Sequence, residues 1–206
     1  YAKETGIASV TPTSETVSHG SNAVGSTAAL TTGYNFDGWY NGATRVSTAL
    51  KYGPTNVTSN MTLTAKATIK TFAITGTAQY RDTDFIGSFT TGNNGGSVTG
   101  SGTYNYGSKA TLTAAAAAGY TFQGWYDAGG TQVSTAASYV IDSVTAAVTV
   151  YARFQKNWFT VTYARGTGVN ALTKTTERVA YNGTVTSDTA VASTGYNTPT
   201  WTKTSG

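Results

Sequence analysis

Gly119-Tyr120-Thr121-Phe122-Gln123-Gly124-Trp125-Tyr126 is the stretch on which the reading of this chain turns. The same phrase stands at Gly33-Tyr34-Asn35-Phe36-Asp37-Gly38-Trp39-Tyr40, and a worn copy at Gly195-Tyr196-Asn197-Thr198-Pro199-Thr200-Trp201. In all three, Trp follows Gly-Tyr at one fixed distance. Aromatics alternating with polar or small residues predict a strand with one apolar face. A buried aromatic removes a large area from water, so each copy can anchor a small core of its own. Tyr34, Phe36 and Trp39, then Tyr120, Phe122 and Trp125, then Tyr196 and Trp201 are the expected structural anchors of three repeats.

Working outward from these phrases, the chain divides into repeat one over 1–69, repeat two over 70–155 and an incomplete repeat three over 156–206. Downstream of the phrase the first two repeats run in register. Val46 matches Val133, Val57 matches Val144, Met61 matches Val148 and Leu63 matches Val150, which keeps the apolar side of each strand constant. Asn41-Gly42 predicts a two-residue hairpin directly after the first phrase. Repeat two carries an insertion over 80–94. His19-Gly20, Tyr106-Gly107 and Asn182-Gly183 are read as equivalent turns. Tyr1-Ala2-Lys3 resembles Tyr151-Ala152-Arg153 and Thr64-Ala65-Lys66, which close repeats, so residues 1–3 are expected to be the closing strand of a preceding repeat. The return hairpin and closing strand have no counterpart after Trp201. Either the segment belongs to a longer array or another molecule supplies the missing strand.

Thr, Ala, Ser and Gly dominate the 206 residues, and only 11% are charged. That composition suits β-strands and turns rather than a solvated disordered tail. The net charge of +4 comes from 13 cations scattered among 9 anions, with no basic cluster to mark a nucleic-acid or membrane surface. Zero cysteine excludes disulfides and thiolate chemistry. No apolar stretch is long enough to insert in a bilayer as a helix.

The stretch from Tyr106-Gly107-Ser108-Lys109-Ala110-Thr111-Leu112-Thr113-Ala114, through Gly119–Tyr126, to Val148-Thr149-Val150-Tyr151-Ala152-Arg153-Phe154 resembles the internalin-B-type B-repeat. It is most similar to the divergent branch, also called the Listeria–Bacteroides repeat. The resemblance covers 97–154 well, 17–67 moderately and 179–201 in part; the 80–94 insertion and Pro199 depart from it. It implies tandem, mostly β, small β-grasp-like repeats in an elongated array on a large surface or secreted prokaryotic protein. Ig-like β-sandwich repeats are the alternative fold. The family has no common catalytic residues, so none are carried over.

The residues themselves point away from catalysis. The acids are Glu4, Glu15, Asp37, Asp82, Asp84, Asp127, Asp142, Glu177 and Asp188, and no two stand in the setting a glycosidase needs. His19 is the only histidine, at a turn, with no triad or metal cluster to join. Asp82-Thr83-Asp84 has a calcium-loop spacing without the rest of the ligand set, and reads as a solvated insertion loop. No cofactor and no metal is expected. Tyr80, Tyr104 and Tyr106 lie outside the regular phrases and are the candidate contacts for a surface glycan. Asn56, Asn60 and Asn182 head glycosylation sequons. The expected role is a non-enzymatic stalk, spacer or assembly module whose partners are neighbouring repeats or copies of itself. A filament joined by strand exchange and an adhesive carbohydrate-binding module are the rivals.

Overall fold

The structure is a computed structural model that describes residues 1–186 and 188–204. The described residues form strands in several small sheets, with no helix, as the alternating pattern predicts. The chain gathers into two compact units, one of 1–75, 100–112 and 140–149, the other of 76–99, 113–139 and residues from 150 onward.

In the first unit the aromatic strand Tyr34–Asn41 lies between the closing strand Leu63–Ile69 and the hairpin strand Thr44–Ser47. A second sheet is made of Ile7–Thr11, Ser26–Leu30 and Lys51–Tyr52. Trp39 is fully buried with Ile7, Val10, Ala28, Leu63 and Ala65. Its ring meets Phe36 at 6.4 Å and Tyr1 at 5.6 Å, and its indole N–H donates to Leu50 O at 3.2 Å. Phe36 and Trp39 are an odd number of residues apart, which would place them on opposite faces of a regular strand. A β-bulge resolves this. Phe36 stands opposite Ala67 but Gly38 opposite Lys66, so Asp37 is the extra residue and both rings turn to one face.

The second unit repeats the arrangement. Tyr120–Tyr126 pairs with Val148–Lys156, with the same bulge between Phe122 and Gly124, and with Gln132–Ser134. Residues 76–81 of the strand Thr71–Arg81 extend this sheet beyond Val148–Lys156, and Thr90–Thr91 pairs with them. Trp125 is fully buried and donates to Ala136 O at 3.1 Å. It packs against Phe122 at 6.0 Å and Tyr139 at 6.0 Å, and Phe122 against Phe154 at 5.6 Å. The unit also holds two smaller ladders. Trp158–Thr162 pairs with Thr176–Ala180, and Val169–Leu172 with Ala190–Ala192.

The second of these ladders copies one of the first repeat residue for residue. The bulged ladder Ile7–Leu30, Ser9–Ala29, Val10–Ala28 has the same register as Val169–Ala192, Ala171–Val191, Leu172–Ala190. Tyr1 thus corresponds to Tyr163, and the match is written in the chain as Tyr1-Ala2-Lys3-Glu4-Thr5-Gly6 and Tyr163-Ala164-Arg165-Gly166-Thr167-Gly168. The expected placement of residues 1–3 in a preceding repeat is replaced accordingly. Ala2 lies opposite Thr64 and Lys3 opposite Ala65, in a parallel pair with the closing strand of the same repeat. The short Tyr-Ala-cation motif fits an opening and a closing strand equally, and the longer match decides. The third turn is also shifted by one residue. Asn182, not Gly183, takes the left-handed conformation of Gly20 and Gly107, with φ 56° against 80° and 78°. Asn is the residue that tolerates this conformation best after Gly.

Candidate functional site

Two junctions repeat along the chain with the same parts. Gly33, which opens the first aromatic phrase, accepts a hydrogen bond on its carbonyl from Lys70 N at 2.8 Å, and Lys70 O accepts one from Tyr106 N at 2.8 Å. Gly119, which opens the second phrase, is held by Asn157 N at 2.7 Å, and Asn157 O by Tyr181 N at 2.8 Å. In each junction the tyrosine ring lies flush on the glycine, and a Cβ there would overlap the ring. Both glycines have positive φ, 87° and 80°, which side-chain-bearing residues rarely adopt. The aromatic phrase therefore has two jobs. Its tryptophan fills the core of its own repeat, and its glycine seats a tyrosine from the next. Gly195 has the same backbone conformation, φ 86°, with open space beside it among the described residues.

The tyrosines considered for ligand contact are placed as follows. Tyr106 is the ring seated on Gly33. Tyr104 donates its hydroxyl to Gly100 O at 2.6 Å. Tyr80 stands opposite Thr90 and lies against Gly92 and Gly95. Sequence reasoning missed the junction because its partners are far apart in the chain. The signal available was the recurrence of Tyr-Gly or Tyr-Asn after the first two Gly-Tyr phrases.

The 80–94 insertion folds back onto its own unit. The Phe89 ring meets the guanidinium groups of Arg81, at 4.6 Å, and Arg153, at 5.0 Å. Arg81 Nε donates to Oε1 of Gln155 at 2.6 Å, and Gln155 is 1% exposed with its amide donating to Thr83 O at 2.8 Å. The acid pair of the segment read as a solvated insertion loop makes side-chain contacts. The Asp82 carboxylate accepts the Tyr120 hydroxyl, and its carbonyl accepts the Trp158 indole N–H at 3.0 Å. Asp84 accepts two bonds from Arg178, at 2.8 and 2.7 Å, which hold its carboxyl below the usual range. The insertion thereby ties residues of the second repeat to Trp158 and Arg178 of the third. Phe85 and Ile86 at its tip are exposed.

A second recurring device is a tyrosine hydrogen-bonded to a glutamate 14 residues on. Tyr1 donates to Glu15, and Tyr163 to Glu177. Backbone N–H groups complete each site. Val24 N lies 3.0 Å from Glu15 Oε2, and the equivalent Thr186 N lies 3.3 Å from Glu177 Oε2. The Tyr1 hydroxyl, then the Gly25 and Val24 N–H groups, lower the Glu15 pKa against the opposing effect of burial. Glu177 is pulled further, to about 2, first by the Lys174 ammonium, then by the Tyr163 and Thr186 hydroxyls. Tyr163 is in turn pushed up to about 12 by the Glu177 carboxylate.

The remaining anchors and sequons fall as follows. Tyr34, Phe36, Tyr120 and Phe122 are half-buried, Phe36 and Phe122 edge-on to their tryptophans, whereas Tyr196 is 57% and Trp201 48% exposed, with Trp201 touching Tyr163 edge-on at 5.3 Å. Asn56, Asn60 and Asn182 are all exposed. Among the described residues no three His, Asp or Glu side chains are grouped to hold a metal ion.

Residues 2–66 match the family model described as the Listeria-Bacteroides repeat domain, and residues 89–158 match the divergent InlB B-repeat domain. No curated protein and no solved structure gives a significant match.

Proposed function

We propose that this chain, which belongs to the InlB B-repeat and Listeria-Bacteroides repeat families, is a mechanical module that spaces or displays other parts of a surface or secreted protein. The observation that carries this reading is the junction built twice from the same parts, Gly33 with Lys70 and Tyr106, and Gly119 with Asn157 and Tyr181. A spacer has to transmit position from one repeat to the next. A ring seated on a bare backbone, with two flanking main-chain hydrogen bonds, resists both sliding and rotation at the join. Tandem copies that each contact the next are how repeat proteins extend a rigid body. The arginine-clamped insertion adds a second tie at the later join, through Asp84 and Arg178.

Repeats of these families occur in surface and extracellular proteins, which supports a place outside the cell. No helix among the described residues is long and apolar enough to cross a membrane. Strand exchange between copies would need the segment at residues 1–3 as the donor. That segment is paired with Leu63–Ile69 of its own repeat, so the filament reading draws no support from it.

Stretching the chain between two handles in an optical trap tests the mechanical role. A spacer is expected to stay short and stiff under low load and to lengthen in discrete steps as repeats rupture. Smooth extension from the lowest forces, like that of a Gly/Ser linker, would contradict it.

A further inference from the structure

Gln79 and Arg81 on the strand Thr71–Arg81 meet Arg153 and Gln155 on the neighbouring strand Val148–Lys156. They form two crossed rungs, each joining residues 74 apart in the chain. Arg81 Nε donates to Gln155 Oε1 at 2.6 Å, and Arg153 Nε donates to Gln79 Oε1 at 3.3 Å. Each arginine is thus held by its Nε edge against a neutral amide, where an acid would form an ion pair. Among the described residues no carboxylate pairs with either guanidinium. The chain's cations are scattered in sequence, but the fold brings these two to one ring. Phe89 meets Arg81 at 4.6 Å and Arg153 at 5.0 Å. Two like charges therefore stand within about one Debye length of each other, roughly 10 Å at 0.1 M salt.

Aromatic rings fix the planes of both cations. Tyr126 lies 4.1 Å from the Arg153 guanidinium, and Phe85 lies 5.9 Å from that of Arg81. A ring over a guanidinium covers its face and leaves its N–H edge available. Arg81 Nη1 makes one hydrogen bond, at 3.3 Å to Gly87 O, and among the described residues the Nη groups of Arg153 donate to none. Phe85 supplies a second observation. It holds a left-handed backbone, φ 58°, which is costly for a bulky residue, and it is 60% exposed beside Arg81. Strain that keeps an aromatic ring in water points to a contact surface rather than to packing.

We propose that Arg81, Arg153 and Phe85 bind an acidic oligosaccharide, with the two guanidinium edges on its sulfate or carboxylate groups and the exposed Phe85 ring against a sugar face. Arginine's planar fork matches such oxyanions, and an anion between the two cations relieves their repulsion. Nucleic acid is the poorer fit. Its binding track commonly makes about six to ten phosphate contacts, and its bases stack on free rings. Here two cations are present, and Phe89 and Tyr126 already carry guanidinium groups. The site lies within one compact unit and does not depend on the mechanical reading.

The test is an NMR titration of the whole chain that follows the arginine Nε–H signals. Its probes are a heparin-derived tetrasaccharide, which carries sulfate and carboxylate, and tetragalacturonate, which carries carboxylate alone. Maltotetraose and a short oligothymidylate are the controls. Saturable movement of the Arg81 and Arg153 signals is expected with at least one acidic probe, while Arg178, already paired with Asp84, stays still. Which probe binds tells sulfate from carboxylate recognition. Arg153→Lys, which keeps the charge and loses the fork, is expected to weaken binding by at least about tenfold. Gln79→Glu keeps an acceptor for Arg153 Nε and adds a carboxylate at the site, so it is expected to abolish the response while the Trp125 amide stays in place. No saturable movement, equal movement of Arg178, an equal response to maltotetraose, or full binding in either variant would overturn the proposal. Tighter binding of oligothymidylate would assign the site to nucleic acid and overturn it as well.

Discussion

Trp39 and Trp201 occupy the same place in two copies of one scaffold, yet Trp39 is fully buried and Trp201 is 48% exposed. The strands before them are alike. Gly6 and Gly168 each lie under a tyrosine, Tyr34 and Tyr196, and the ladders that lead to them share one register and one bulge. What differs is the cover. Trp39 is closed over by Leu50, Leu63 and Ala65, all from the return segment and closing strand, and by Tyr1. Trp201 meets Tyr163 edge-on at 5.3 Å. The comparison separates two layers of the design. The ladder before Trp39 comes from the N-terminal half of its repeat, and Leu63 and Ala65 of its cover come from the C-terminal half.

The largest effect that sharpens this contrast is expected from tryptophan truncation. Trp39→Ala should destabilise the first repeat by about 3–5 kcal/mol, the usual cost of emptying an aromatic core site. Trp201→Ala should cost below about 1 kcal/mol because half the ring already meets water. Denaturant unfolding followed at amides of each repeat measures both, and equal losses would break the comparison.

Next in size come the junction glycines. Gly33→Ala and Gly119→Ala each add left-handed strain of about 1 kcal/mol and an overlap with the tyrosine ring worth about 1–3 kcal/mol. Gly42→Ala, at φ 60° with open space beside it, carries the strain alone. Melting curves that rank Gly42→Ala as the equal of the other two would show that the ring contact contributes little.

A smaller loss is expected at the insertion. Arg178→Lys removes the two-point grip on Asp84 from partly exposed side chains, so it should cost about 0.3–1 kcal/mol. Faster amide exchange near Asp84 and Trp158 is the expected readout.

The least destabilising test is a titration. The Glu177 side chain is only 14% exposed, and its folded-state pKa of about 2 lies below the ordinary value of 4.5. A depressed carboxylate stabilises the fold fully above 4.5, and that contribution is lost as pH falls through about 2. Carboxyl NMR should find the Glu177 midpoint near about 2 and, in Lys174→Met, closer to the ordinary value. An unmoved midpoint would remove Lys174 as the main cause.

The aromatic phrase made the repeat architecture legible, and the matched valines carried the register of the first two copies. Three features escaped it for physical reasons. The bulge at Asp37 depends on how a strand with both Phe36 and Trp39 must pack, which strict alternation does not express. The seats on Gly33 and Gly119 pair residues distant in sequence, and a lone Tyr106 or Tyr181 reads equally as a surface ring. The third turn lies at Asn182, which substitutes for glycine in a left-handed conformation, whereas Gly183 beside it is the stronger turn signal in sequence. The Tyr1–Glu15 and Tyr163–Glu177 pairs were visible as an equal spacing once the longer Tyr-Ala-x-x-Thr-Gly match was found.

The central claim is that one junction, used twice, fixes each repeat against the next. The most direct measurement is the distribution of spin-label distances across each junction, with labels at Thr44 and Thr103 for the first and at Thr131 and Thr184 for the second. Narrow distributions are expected in the unaltered chain, with Gly33→Ala broadening the first alone and Gly119→Ala the second alone. Broad distributions at the outset, or widths indifferent to either substitution, would contradict the account.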